Sequence, residues 1–156
     1  MDNSIDRNKK ICPIGLASEL ACDKWMPIIL RDIGLFERRT FNQILKNNLE
    51  GISSGSLASK LKRLEHVGLI TFVTVSEHKQ KKIYYLTESG IDFIPVLFVM
   101  ADWSAKWHKP SQEFSVITDK YYSKPGPGLR ELQSELRYTG HENPPSNSFL
   151  KAVLGT

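Results

Sequence analysis

A chain of 156 residues, 40% of them hydrophobic, can bury one domain core and carry an appendage, but it is too polar for a membrane protein. Its net charge of +4 and pI near 9.1 admit a nucleic-acid partner without demanding one, because the placement of charge matters more than its total. Two cysteines, Cys12 and Cys22, exclude a disulfide scaffold and a zinc cage.

The stretch "MDNSIDRNKK" lacks the apolar segment of a signal peptide, so residues 1–11 are read as a polar leader. A cytoplasmic location is expected, with the thiols reduced at rest. In "CPIGLASELACDKW", Pro13 suits the first turn of a helix, and Ile14, Leu16, Ala17, Leu20 and Ala21 recur at helical spacing. Asp23 can cap a second helix, "KWMPIILRDIGLF", with Trp25, Ile28, Ile29, Ile33 and Leu35 as core. Pro27 falls in its first turn, where it is tolerated. Thr40 and Gln43 stand at capping-box spacing and start a short third helix at Phe41. Gly51 in "NNLEGIS" ends the segment after it.

The fourth helix begins at Ser53 or Ser54, either a good N-cap, and stops at Gly68. Leu57, Leu61 and Leu64 form its buried stripe. The opposite face carries Gly55, Ser56, Ser59, Lys62, Arg63 and His66, with Lys60 at its flank. Two alternating β-type runs, "LITFVTV" and "KKIYYLT", then predict a hairpin around "SEHKQK", whose tip holds His78, Lys79, Lys81 and Lys82. Thr87 caps a long helix, "ESGIDFIPVLFVMADWSAKW", apolar nearly all the way round and kinked at Pro95. A small domain cannot surround such a helix, so Ile94, Leu97, Phe98, Val99 and Trp103 are read as a dimer interface. Its apolar run is too short and too interrupted by Asp and Pro to span a bilayer. Beyond Pro110 the chain is rich in Pro and Gly, with one expected helix from Leu129 to Arg137. Residues 110–156 are read as a partly ordered C-terminal extension.

The order helix, helix, capped short helix, serine-led helix, hairpin, helix predicts an α+β, mainly α, winged helix-turn-helix over residues 12–109, with a two-stranded wing and a long dimerisation helix. Small residues at the start of the fourth helix permit close approach to DNA, and its free N–H groups attract phosphate. Ser54, Ser56 and Ser59 can bond base edges or phosphate. Lys60 and Lys62 supply charge, and Arg63 can reach guanine with two hydrogen bonds. The wing residues His78, Lys79, Lys81 and Lys82 would lie along an adjacent groove or phosphate strand, and Arg38 and Arg39 are counted among the DNA-binding candidates. The expected partners are double-stranded DNA with a pseudo-palindromic operator and a second copy of the chain, with no membrane.

The segments "CPIGLA…CDKWMPIILRDI", "RRTFNQI", "LEGISSGSLASKLKRLEHVGLI", "KKIYYLTESG" and "IPVLFVMADW" together resemble the HxlR-type transcriptional regulators, a branch near the MarR-like winged helices. They cover Cys12 to about Trp107. The resemblance implies a dimeric DNA-binding regulator that pairs through its N-terminal and long C-terminal helices. It also implies that a cysteine at the place of Cys12 can sense oxidants or electrophiles. Cys22 stands where the family more often has glycine.

Plainer readings stand beside these. A Lys/Arg face on a helix is usually only solvated. Cys12 could be an ordinary buried thiol, but a helix start and Lys9 and Lys10 favour thiolate. Cys22 reads as a small residue filling a helix junction, with a resolving role as the alternative. His66, His78, His108 and His141 have no ligand partner at metal spacing, and no catalytic or nucleotide fingerprint is present. No metal, cofactor or enzymatic activity is expected. Two rivals remain open: a winged helix that senses a small molecule in the dimer cleft, and one used as a protein–protein module.

Overall fold

The computed structural model describes residues 12–75, 78–112 and 127–139, apart from the side chains of 78–80, 127–128 and 138–139. The elements run α1 (Pro13–Ala21), α2 (Trp25–Gly34), α3 (Phe41–Asn47), α4 (Ser54–His66), β1 (Ile70–Val75), β2 (His78–Leu86), α5 (Glu88–Trp107) and α6 (Pro127–Thr139). This is the expected winged helix-turn-helix, mainly helical with one antiparallel pair of strands.

Local chemistry sets most boundaries. Asp23 Oδ1 accepts from the N–H groups of Trp25 (2.8 Å) and Met26 (3.0 Å), satisfying two donors at the start of α2. Thr40 and Gln43 make both halves of the capping box of α3. Ser53 caps α4 by accepting from Ser56 N–H at 3.2 Å. At the other end of α4, Gly68 has φ 76°. Its N–H donates to Glu65 O (3.0 Å) and Leu69 N–H donates to Leu64 O (3.0 Å), a Schellman ending. The chain thus leaves α4 straight into β1.

Leu57, Leu61 and Leu64 of α4 are buried against Ile29, Leu30 and Ile33 of α2, Ile44 of α3 and Ile70 of β1. This main core fixes the helix-turn-helix. The wing pairs Ile70 with Leu86 and Phe72 with Tyr84; the register jumps between Thr74–Lys82 and Val75–His78. Phe72 and Tyr84 meet edge to face at 6.0 Å. One backbone hydrogen bond ties the segment after α2 to the wing. Glu37 turns the chain at φ 53°, and Arg39 C=O then accepts from Tyr84 N–H at 2.7 Å.

The base of the wing packs tightly on α5. Thr87 caps α5 through Gly90 N–H (3.2 Å) and donates its hydroxyl to Gly68 O (2.5 Å). A Cβ on Gly90 would lie 2.1 Å from Leu69 O, a backbone atom that cannot step aside. Gly90→Ala is therefore expected to cost about 1–3 kcal/mol through overpacking. A denaturant titration that leaves the midpoint unmoved would show that α5 can shift freely.

One expectation about α5 is corrected. Ile94 (0% exposed) and Phe98 (7%), read as dimer-interface residues, are buried inside the chain, where they cluster with Leu35 and Leu132. Leu97 is half-buried against both clusters. The reason is α6, whose Leu129, Leu132 and Leu136 cover this side of α5. The outward side remains bare: Val96, Val99, Met100, Trp103 and Trp107 are exposed.

The helix expected at 129–137 is thus a docked element. Pro95 has no N–H, so the carbonyl of Ile91 lacks its helical donor. Gln133 Nε2 of α6 supplies one at 3.3 Å. Arg137 adds ion pairs with Glu88 (2.8 Å) and Asp92 (3.3 Å), both exposed and therefore worth little.

Candidate nucleic-acid interface

The leucine stripe of α4 turns the opposite side of the helix outward. Ser54, Gly55, Ser59, Lys62 and His66 are exposed, and Ser56, Lys60 and Arg63 are half-buried. Ser53 Oγ donates to Ser56 Oγ at 3.0 Å. That leaves the Ser56 hydroxyl proton able to donate outward. The first turn of α4 contains no acidic residue. Its N–H groups therefore present partial positive charge without local competition.

Lys60 is the exception on this surface. Its ammonium forms an ion pair with Asp23 Oδ2, at the junction of α1 and α2. Burial pushes the Asp23 carboxyl upward, but hydrogen bonds from Lys60 and from the Trp25 and Met26 N–H groups hold it below its usual value.

On the wing, Lys81 is exposed, while Lys82 lies 3.6 Å above the Phe72 ring. The side chains of His78 and Lys79 lie outside the described residues. Arg39 sits 5.3 Å over Tyr85. Arg38 is engaged from two sides. It pairs with Asp32 at 3.3 Å and lies 4.7 Å over Phe36.

That pairing belongs to a hub which reading the sequence missed. Asp32 is 0% exposed. Its Oδ1 accepts from Arg31 (Nε 3.1 Å, Nη2 2.8 Å) and Arg38, and its Oδ2 accepts from Asn48 Nδ2 at 3.2 Å. Arg31 also grips Glu50 with two bonds of 2.6 and 2.9 Å. The Arg31 bond holds the Glu50 carboxyl below its usual value, against the upward push of burial. Asn48 Oδ1 then accepts from Ile52 N–H at 3.0 Å. The hub therefore ties α2 to the turn that launches α4. A lone Asp inside the apolar run "IILRDIGLF" was the available signal, since a buried carboxylate needs partners.

Both cysteines are free and exposed. That removes the buried-thiol reading for Cys12, while Cys22 lies at the junction of α1 and α2 as the C-cap of α1. Cys12 is the residue before α1, and backbone hydrogen bonds from Gly15 and Ile14 lower its thiol pKa. Lys9 and Lys10 lie outside the described residues. Trp103 lies 5.4 Å from His108 on the bare side of α5, and Trp107 is also exposed there. Among the described residues no group of His, Cys, Asp and Glu could hold a metal ion, and no helix is long and apolar enough to cross a membrane.

Comparisons with known proteins agree with this geometry. An uncharacterized HTH-type transcriptional regulator of Mycobacterium tuberculosis, Rv3095, is 34% identical over 94 residues, 60% of this chain and 58% of that protein. The match thus spans little more than half the length of this relative. An uncharacterized HTH-type transcriptional regulator of Synechocystis, sll1512, is 34% identical over 69% of this chain and 79% of its own length. The crystal structure of PA1607, a candidate transcription factor, superposes with a TM-score of 0.57 at 26% identity, covering 67% of this chain and 70% of that one. The HxlR-like helix-turn-helix family matches residues 20–112, from the end of α1 past the end of α5. With its serine-led helix, lysine-bearing wing and long apolar helix in that order, the chain belongs to the HxlR-like helix-turn-helix family.

Proposed function

We propose that the protein is a homodimeric, sequence-specific DNA-binding transcriptional regulator. The observation that carries this is α4. Its buried leucines leave a face of small hydroxyls, Lys62 and Arg63 directed outward beside a basic wing. Two copies of α4 would enter successive major grooves, about 34 Å apart, on a pseudo-palindromic operator. Ser54, Ser56, Ser59 and Arg63 face base edges, while Lys62, Arg39 and the wing residues His78, Lys79, Lys81 and Lys82 follow phosphates; Arg38, whose charge is offset by the buried Asp32, supports the segment instead. The test is selection of bound fragments from a random duplex library; recovery of no enriched sequence would defeat the reading. Stable capture of a protein partner with no duplex binding at low salt would favour the protein–protein module instead.

Base readers and phosphate ligands differ in kind. Arg63→Ala is expected to cost about 1–3 kcal/mol of operator affinity and to relax the preference at one base pair. Replacing Lys79, Lys81 and Lys82 together by Gln is expected to weaken binding while keeping the same consensus, because phosphate contacts position rather than specify. Fluorescence anisotropy on the selected operator and its single-base variants measures both. An Arg63→Ala protein with wild-type affinity and specificity would remove α4 from the groove.

Cys12 is the proposed point of regulation. Its exposed, acidified thiol precedes α1 close to Ile14, which is 77% exposed. A bulky adduct there would alter how two copies pack and thus the spacing of their α4 helices. The lowered pKa extends the thiolate form to lower pH, so alkylation of Cys12 is expected to persist as pH falls below the range of an ordinary thiol. Gel-shift titrations with diamide or a quinone, followed by reductant, compare wild type with Cys12→Ser. Equal responses would end the redox reading and leave DNA binding intact.

A further inference from the structure

Asp23 does two jobs with one carboxylate. Oδ1 closes the start of α2 through Trp25 and Met26 N–H, and Oδ2 takes the ammonium of Lys60, 37 residues away on α4. Lys60 is a flank position of the face proposed to meet DNA, yet its side chain is 30% exposed and bound to a partner that is 37% exposed. An ammonium paired in this way has already exchanged part of its water for a carboxylate. Two of its three N–H donors remain, but the Asp23 carboxylate offsets its charge, so a phosphate gains less from it than from an unpaired lysine.

We propose that Asp23 withholds Lys60 from the DNA backbone, so that it attenuates DNA affinity while pinning α4 to the start of α2. The inference rests on the DNA-binding reading. It assigns Lys60 a place in α4 positioning and leaves the phosphate contacts to Lys62 and the wing. The chemistry of the two carboxylate oxygens makes the device separable. Asp23→Asn keeps an oxygen for the Trp25 and Met26 N–H groups, since Asn caps helices as well as Asp, but gives up the charge that holds Lys60.

The experiment measures affinity for a mixed-sequence DNA duplex across a series of salt concentrations. The proteins are wild type, Asp23→Asn, Lys60→Gln and the double variant, each checked for folding by circular dichroism. Releasing one lysine to phosphate steepens the slope of log K against log salt by about 0.9. Asp23→Asn is expected to bind more tightly at low salt with a slope steeper by that amount. Lys60→Gln is expected to keep the wild-type slope, and in the double variant the gain should vanish. Should Asp23→Asn fold poorly, Asp23→Ser serves as a second capping replacement, and the Lys60→Gln slope stands without either. A wild-type slope in Asp23→Asn overturns the inference. So does an equal gain in the Lys60→Gln background, which would mark a general loss of negative charge, or a shallower slope in Lys60→Gln alone. Failure of the wild-type chain to bind the duplex at all overturns the DNA reading itself, a result distinct from binding with unchanged slopes.

Discussion

Replacing Asp32 with alanine is expected to lower folding stability by about 2–4 kcal/mol, one of the largest losses open to a single polar residue here. The carboxylate is 0% exposed and holds Arg31, Arg38 and Asn48 together. Removing it leaves two guanidinium groups facing each other and strips Asn48 Nδ2 of its acceptor. The loss stays below the most severe cases because the Arg31 and Arg38 side chains are 22% and 20% exposed and Arg31 keeps Glu50. Urea titration at neutral pH measures it. A loss under about 1 kcal/mol would reduce the hub to the worth of a surface ion pair. The damage should also reach DNA binding, because Asn48 receives the Ile52 N–H in the turn before α4. Asp32→Asn retains an acceptor and should fall between wild type and alanine. Acid acts on other carboxyls of the chain in the same sense. The Glu50 and Asp23 carboxyls titrate lower in the folded chain than in the unfolded one. Their contribution is therefore present above the usual carboxylate pKa of about 4 and is lost as pH falls through the lower folded values.

What the sequence made legible was governed by neighbours in the chain. The capping box at Thr40, the Ser53 cap, the Gly68 ending, the leucine stripe of α4 and the Thr87 cap each depend on residues within about a turn of one another. Those features recover the helix-turn-helix and place the wing directly after it. What stayed hidden depends on pairs far apart in the chain. Lys60 has nothing in its local pattern to reveal Asp23. Arg38 reads as one of two basic residues until Asp32 and Phe36 are found on either side of it. The pairing of Arg39 C=O with Tyr84 N–H involves backbone alone and leaves no compositional trace. The long helix shows the same limit. Its apolar character implied cover on more than one side, but only the docking of α6 separates the sides. Ile94 and Phe98 belong to the chain's own core, and Val96, Val99, Met100, Trp103 and Trp107 do not.

That separation sharpens the test of assembly. Val99 is 69% exposed and Trp103 59%, so a charge at either position enters no core of the single chain. Val99→Lys and Trp103→Glu are therefore expected to remain folded and to be monomeric, whereas Ile94→Lys, which buries an unpaired charge, should unfold. Five large apolar side chains left bare along one helix side form the kind of patch that marks an interface, and Ile14 of α1 is bare as well. A second copy would bring the second α4 that the proposed pseudo-palindromic operator needs. Losing the dimer turns bivalent docking into two independent half-site encounters, which is expected to weaken operator binding by about 100-fold or more. The order of effects is diagnostic. A folded monomer of Val99→Lys that still holds the operator as tightly as wild type would show that α4 does not act in pairs. Sedimentation of the unmodified chain as a well-folded monomer at high concentration would leave the bare side of α5 to some other partner. If instead wild type is a dimer, Val99→Lys a folded monomer, and operator affinity falls with the dimer, then the outward side of α5 sets the distance between the two copies of α4.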